Sequence, residues 1–403
     1  MMATGLALVR HPLTQFSYET LPDGLDMRLL CHETKSQMRR TSGGVNPEHI
    51  TAYPDYETND LVEFDAARII ESTDCRGIIA LSEVDMLRAA QLRTRYGIPG
   101  LTYPTARLFR DKVLMKEALR EAGLRVPRFT TVDSGLDLMA AAADYGYPFV
   151  VKPRMGGGSI GATVVRDEAA LRALLSKGLR PNFYTPAHLE AEEFVAGDLY
   201  HVDGLVLDGV IRLHTVSKYR SDVLEFSTAV STRMVDQRSP LAHRLSEFTG
   251  AVLAELGLLK PGIHSYFHCE AFDTPDGPVL CEVAARPGGL GIVDQVDAYF
   301  GLNTFELLLA ATFGGEVPEP AADTERPLVG WVGVPKACDP SVVQAGIPRA
   351  NLVGERMHNT SVAGRQMSSV DLDGFVLVRS ESEQELDALL GAAVSRAAQA
   401  VAA

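Results

Sequence analysis

Residues 150–161 read VVKPRMGGGSIG: an apolar strand ends in a lysine, and a run of glycines follows. Glycine-rich loops let backbone N–H groups approach phosphate oxygens, and a neighbouring lysine supplies charge. The order differs from that of a P-loop, GxxxxGK[ST], whose lysine follows its glycines; here Lys152 precedes Gly156, Gly157, Gly158 and Ser159. A strand (ATVVR) and a helix (DEAALRALLSKG) come next, so the loop reads as a flap between two strands.

The whole chain limits what such a loop can serve. Its 403 residues carry 38 Lys and Arg against 52 Asp and Glu, a net charge of −14. That balance argues against a nucleic-acid or anionic-membrane surface, so an anionic ligand must be held by a local cluster of cations. Cys31, Cys75, Cys269, Cys281 and Cys338 show no CxxC spacing, and neither a disulfide framework nor a zinc site is expected. A reduced, cytoplasmic setting is the expectation. The opening MMATGLALVRHPL lacks the basic and long apolar regions of an export signal, and no apolar run reaches the ~18 residues of a membrane span.

Working outward, residues 1–105 alternate apolar runs (GLALVR, MRLLCHE, GIIALSE) with helical patterns (NDLVEFDAARIIEST, VDMLRAAQLRTRYG), the signature of a small parallel α/β domain. DKVLMKEALREAG, from Asp111, is an amphipathic helix stopped at Gly123. A lobe spanning 106–196 holds the flap. Within 197–318, LYHVDGLVLDGVIRLHTVSKY is a hairpin turning at Asp208-Gly209, residues 241–258 form a helix, and GIHSYFHCEAFDTPDGPVLCEVAARPGG is a second hairpin turning at TPDG. Residues 319–403 read as a C-terminal α+β lobe after the Pro-rich GGEVPEPAADTERP. The fold class is thus α/β and α+β in one chain.

The second hairpin carries the most chemistry. Glu270 and Glu282 are symmetric about Asp276, which places them directly opposite one another in the simplest register. Opposed residues on antiparallel strands have Cβ atoms ~5 Å apart, where like charges repel, so the pair calls for a cation between them. Oxygen ligands on a rigid hairpin suit Mg²⁺ completed by water and phosphate. Alternation puts Ala284 and Arg286 on the face of Glu282, and Arg286 offers a planar fork to a phosphate or carboxylate. Cys269 and Cys281 fall on the other face as buried apolar residues.

In this order and with these intervening elements, residues 105–315 resemble the ATP-grasp superfamily. Lys112 and Lys152 resemble its two nucleotide lysines, and Glu192-Glu193-Phe194-Val195 is similar to the hinge whose main chain reads the adenine edge. Glu270 and Glu282 match its metal-binding acids, and Arg286 the arginine that contacts the transferred phosphoryl group. Within the superfamily, GDLYHVDGLVLDG and EVAARPGG, the latter with Gly288 and Gly289, look most like the carboxylate–amine ligases that join amino acids. Ala284 stands where many relatives have asparagine, and Leu199 where many have a ribose-binding acid, for which Asp198 or Asp203 could substitute.

The resemblance implies ATP with Mg²⁺ as cofactors, two ions with Mn²⁺ able to substitute, amino-acid substrates, and a homodimer. It implies attack of a carboxylate on the γ-phosphoryl group, then amide formation from the acyl phosphate, with Lys152 and Arg286 stabilising charge. Lys218, Arg220 and Arg233 are the candidate cations for an acidic substrate. His264 and His268 share the face of Glu270 by period-two spacing, either to orient a carboxylate or, for His268, to act as a base; surface cations and hydrogen-bonded strand histidines are the competing reading. Two other functions compete: a biotin-carboxylase-type enzyme and a nucleotide-binding module without catalysis.

Overall fold

A computed structural model describes residues 3–10, 18, 20–33, 45–180, 182, 185–220, 230–319, 325–336, 338–357 and 372–402. Residues 221–229, in the middle of the stretch carrying the candidate acceptor cations, and 320–324 of the Pro-rich segment lie outside these.

The N-terminal strands β1 (Ala3–Val9), β2 (Leu25–His32), β3 (Ile50–Tyr53) and β4 (Asp74–Ala80) form a parallel sheet ordered β3-β2-β1-β4. Leu6 and Leu8 pack toward the helices Leu61–Ser72 and Glu83–Tyr96, whereas Ala7 and Val9 face the opposite way, toward Phe305 and Leu308 of helix Thr304–Phe313. Strand alternation thus makes a two-sided core, one side of which is closed by a helix from ~300 residues later. Helix Glu83–Tyr96 starts on a Ser82 cap and ends at Gly97 in the left-handed region.

Strands β5 (Phe129–Val132), β6 (Phe149–Pro153), β7 (Thr163–Val165) and β8 (Leu189–Glu193) form an antiparallel sheet ordered β5-β8-β6-β7. Phe149, Val151 and Ala191 face helices Gly135–Tyr145 and Glu168–Lys177, which turns Lys152, Glu190 and Glu192 to the other side. The flap joins β6 to β7.

The large sheet comprises β9 (Asp198–Leu207), β10 (Val210–Tyr219), β11 (Ser231–Met234), β12 (Ser265–Thr274), β13 (Gly277–Ala284), β14 (Leu328–Val334), β15 (Leu352–Met357) and β16 (Gly374–Ser380). Its order is β13-β12-β9-β10-β11-β14-β16-β15, so strands from 319–403 continue the same sheet. The Asp208-Gly209 turn forms as expected, both residues at positive φ in a two-residue loop between Leu207 and Val210. Tyr200, Val202 and Val206 pack on helix Pro240–Glu255, while His201 and Asp203 point to the opposite face.

Candidate active site

Glu270 does pair with Glu282, but not through a turn centred on Asp276. The turn is the two residues between Thr274 and Gly277, and a β-bulge between Glu270 and Ala271 restores the facing pair. The extra residue is Cys281, which with Glu282 lies opposite Glu270. Its thiol is not on the apolar face: burial and the neighbouring Glu270, Glu192 and Glu282 push it up against the pull of Lys152. Cys269, by contrast, is buried in the apolar core as expected. No disulfide joins any of the five cysteines.

Nor do the two carboxylates need an ion between them to coexist, because the protein supplies separate partners. The Tyr219 hydroxyl donates to Glu270 Oε1 at 2.6 Å, and His268 Nε2 lies 3.2 Å from the same oxygen. Lys112 Nζ sits 3.0 Å from Glu282 Oε2 and donates to the Gly156 carbonyl at 2.8 Å. Burial pushes the Glu282 carboxyl up, but Lys112 and Lys152 outweigh it and hold it at about 2.

Lys112 opens helix Lys112–Glu121, capped by Asp111, whose side chain accepts from Val113 N and Leu114 N. The same carboxylate takes both arms of Arg154, at 3.0 and 2.7 Å, so one residue fixes the helix and the root of the flap. Arg110 Nη2 donates to the Met155 carbonyl at 2.8 Å. Gly158 and Gly161 adopt positive φ, and so does Ser159 between them, conformations that a glycine-rich segment reaches with little steric penalty.

Lys152 is buried with Glu192, Nζ to Oε1 at 2.7 Å, and lies 3.9 Å from Glu190 Oε1. Lys116, one turn after Lys112, reaches Glu190 Oε1 at 2.9 Å and Glu192 Oε2 at 2.5 Å and is wholly inaccessible to solvent. The Glu192 side chain is therefore committed inward. Glu193 turns out to Arg128, accepting from its main-chain N–H at 2.9 Å and its Nε at 2.7 Å. Phe194 and Val195 follow the end of β8, Phe194 exposed.

Arg286 reaches across to the N-terminal unit. Its Nε and Nη2 both lie 2.7 Å from Glu83 Oε1, and Arg110 Nη1 approaches Glu83 Oε2 at 2.5 Å. A side chain at Gly157 would stand 3.4 Å from the Glu83 methylene, so the flap lies against this carboxylate.

His268 is not a free base. Its Nδ1 lies 2.7 Å from Asp203 Oδ1, and Asp203 Oδ2 is taken by His201 Nδ1. Burial alone would pull His268 down; Asp203 and Glu270 raise it to about 10. Burial would raise Asp203, and the two imidazoles outweigh it, holding its carboxyl below the usual range. His201, Asp203 and His268 could be grouped as metal donors, but 2.7 Å between His268 Nδ1 and Asp203 Oδ1 is a hydrogen-bond length. Donors sharing one ion at ~2.1 Å in tetrahedral geometry stand more than about 3 Å apart, so the trio is a hydrogen-bonded chain leading to Glu270. Gly288 is required beside it, since a Cβ there would lie 2.8 Å from Asp203 Oδ1 and 2.6 Å from Ile292. The Gly289 carbonyl accepts from Ile292 N at 3.3 Å at the start of the next helix.

The remaining expectations fall elsewhere. Lys218 pairs with Tyr200 and Arg233 across the sheet, which puts it on the face opposite Glu270. There Lys218 meets Asp198 at 2.5 Å, Arg220 and Arg233 both bind Asp387 at 2.7 and 2.9 Å, and Arg233 reaches Glu383 at 2.5 Å. Arg220 and Arg233 fasten helix Glu383–Ala402 to the sheet, Lys218 pairs with Asp198 on the same face, and none of the three shares the face of Glu270. His264 precedes β12; its Nδ1 accepts from Asp208 N at 3.1 Å and steadies the hairpin turn. Glu83, Lys116, Glu190, His201 and Tyr219 were missed. Lys116, at i+4 from Lys112, Glu190, at i−2 from Glu192, and His201, at i−2 from Asp203, carried a spacing signal, whereas Glu83 and Tyr219 did not.

Residues 111–198 match the family model described as carbamoyl-phosphate synthase L chain, ATP binding domain. The chain is 27% identical over 234 residues to an L-arginine-specific L-amino acid ligase from Bacillus subtilis, a match covering 57% of this chain and 55% of that one. It thus spans little more than half the length of that curated relative. Among solved structures, an L-amino acid ligase from Bacillus licheniformis superposes with a TM-score of 0.69 at 19% identity, over 98% of this chain and 97% of that one. A carboxyaminoimidazole ribonucleotide synthase from Aspergillus clavatus complexed with ATP gives 0.74 at 15% identity, over 98% of both chains. These likenesses show the ATP-grasp fold across the described lobes. No helix among the described residues is long and apolar enough to cross a membrane.

Proposed function

We propose that this chain, a member of the ATP-grasp superfamily, is an ADP-forming ligase that joins the carboxylate of one amino acid to the amine of another through an acyl phosphate. The observation that carries this reading is the facing pair Glu270 and Glu282, with Lys112 on Glu282 and Lys152 close by, beneath a glycine flap. The likeness to amino-acid ligases supports the substrate class.

A carboxylate oxygen attacks the γ-phosphorus and the bond to the bridging oxygen breaks, releasing ADP. The amine nitrogen then attacks the acyl carbon, phosphate leaves, and the nitrogen loses a proton. Lys112, Lys152 and Arg286 offset charge along the triphosphate and at the transferred group. The 155–161 segment covers the phosphates and keeps water from the acyl phosphate. Each of the three cations already holds a carboxylate: Glu282, Glu192 and Glu83 respectively. A site balanced in this way has little charge to spare for a triphosphate, so cations must enter with the nucleotide. Glu270 and Glu282 fit that need as hard oxygen donors on opposed strands, and Mg²⁺ bound there would supply charge neutralisation across the phosphates.

A matrix of amino-acid pairs, scored for ADP and phosphate release with mass detection of products, tests the proposal. Wells with bicarbonate and biotin test the carboxylase alternative. Turnover in those wells alone, or ATP binding without ADP release in any well, would replace the ligase reading. Sedimentation of the same preparation tests the proposed homodimer.

A further inference from the structure

Lys116 is buried where no ligand can touch it. Its ammonium is completely inaccessible, bonded to Glu190 and Glu192 and lying 5.1 Å from the centre of the Phe129 ring. Lys152 shares both acids from the other side. Two cations and two carboxylates thus form a closed, neutral group, and Glu190 Oε2 within it is buried without a hydrogen-bond partner among the described residues.

Neutrality matters because of what Lys152 must do. A buried ion pair stripped of one member leaves a charge uncompensated at low dielectric, and such a charge acts strongly on its neighbours. Without Lys116, Lys152 alone would face two carboxylates, leaving one surplus negative charge beside the proposed nucleotide site. Lys152 would then be held by the protein while the site repelled the anion.

We propose that Lys116 is a positioning residue for the nucleotide site: by offsetting one of the two charges of Glu190 and Glu192 from behind, it leaves Lys152 balanced by a single carboxylate and spares the phosphates a surplus negative charge. This rests on the ATP-binding reading above. It also assigns Glu190 a role opposite in sign, as the acid that restrains Lys152. Burial would lower the Lys152 ammonium, and the groups beside it, Glu192 foremost, raise it instead.

The test is ADP affinity, measured by titration calorimetry on the full chain for wild type, Lys116→Met, Glu190→Gln and the double variant. Lys116→Met is expected to weaken ADP about tenfold, and Glu190→Gln to tighten it severalfold, as one surplus charge of either sign should. The double variant, neutral again, should return to within about threefold of wild type. A packing role for Lys116 would weaken binding in both variants that lack it, without rescue. Wild-type affinity in Lys116→Met, no rescue in the double variant, or no tightening in Glu190→Gln would each overturn the inference. The last comparison holds even if Lys116→Met does not fold. A wild-type protein that does not bind ADP would overturn the nucleotide-site reading and this inference with it.

Discussion

Glu83 and Arg286 stand 203 positions apart in the chain, yet the guanidinium straddles one carboxylate oxygen with Nε and Nη2 both at 2.7 Å. This pair ties the first turn of helix Glu83–Tyr96 to the loop that follows the hairpin of Glu270 and Glu282. It also occupies the arginine proposed above to meet the transferred phosphoryl group.

Glu83→Gln and Arg286→Gln are therefore expected to be non-additive in stability. Chemical denaturation of both singles and the double should give a coupling of about 1–3 kcal/mol. Additive effects would mean that the pair does not lock the two units together.

Arg286→Lys keeps the charge and loses the fork. ADP release is expected to fall by about two to three orders of magnitude, the loss typical of one preorganised charge-stabilising group. Activity within threefold of wild type would remove Arg286 from the phosphoryl-transfer step.

Lys152→Ala and Glu282→Gln should each cut turnover by about two or more orders of magnitude, but they should differ in stability. Removing Lys152 leaves Glu192 and Glu190 with Lys116 alone, a buried excess charge that should lower the melting temperature. Glu282→Gln keeps the shape of the side chain but strands Lys112 without its carboxylate, so it should also melt below wild type, by less than the truncation to alanine. Near-normal ADP release from either folded variant would sink the ligase assignment.

Polar ties that hold the flap include Arg110 to the Met155 carbonyl, Lys112 to the Gly156 carbonyl, and Arg154 to Asp111. Met155 and Ile160 expose their side chains. Hydrogen exchange over 155–160 is expected to slow when ATP and Mg²⁺ are added together. Equal exchange with and without them would make the segment a static phosphate loop.

Asp297 offers a pH test away from the site. Burial raises its carboxyl to about 7, despite bonds from Thr304 N at 3.0 Å and Thr304 Oγ1 at 2.6 Å. A carboxyl raised on folding is unpenalised below its unfolded value near 4, and stability is lost as pH climbs through 7. Asp297→Asn keeps an acceptor for Thr304 and removes the charge. It should raise the melting temperature by a few degrees at pH 8 and much less at pH 5. A gain independent of pH would show that the carboxylate charge is not what strains this corner.

Much of the site was legible because its signals are local. Lys152 before the glycines, the Asp208-Gly209 turn, and the cross-strand meeting of Glu270 and Glu282 all depend on strand period and turn chemistry within some ten residues. Even there the bulge at Cys281 was invisible. One inserted residue changes the parity of everything on one side of it, and it left the glutamate pair intact while bringing a supposed core thiol to the site.

The sequence by itself determined which segments become strands and helices, and that a lysine, a glycine flap and two acids could share one cleft. Tertiary structure alone decided which face of the large sheet looks into that cleft. That choice sent Lys218, Arg220 and Arg233 to the back to meet Asp198, Glu383 and Asp387, and brought His201, Asp203 and Tyr219 behind Glu270. It also chose the partners of Arg286 and Lys116. Periodicity is written in neighbouring residues, whereas the partner of a buried charge is fixed only when separate lobes pack and each stranded charge must find its opposite.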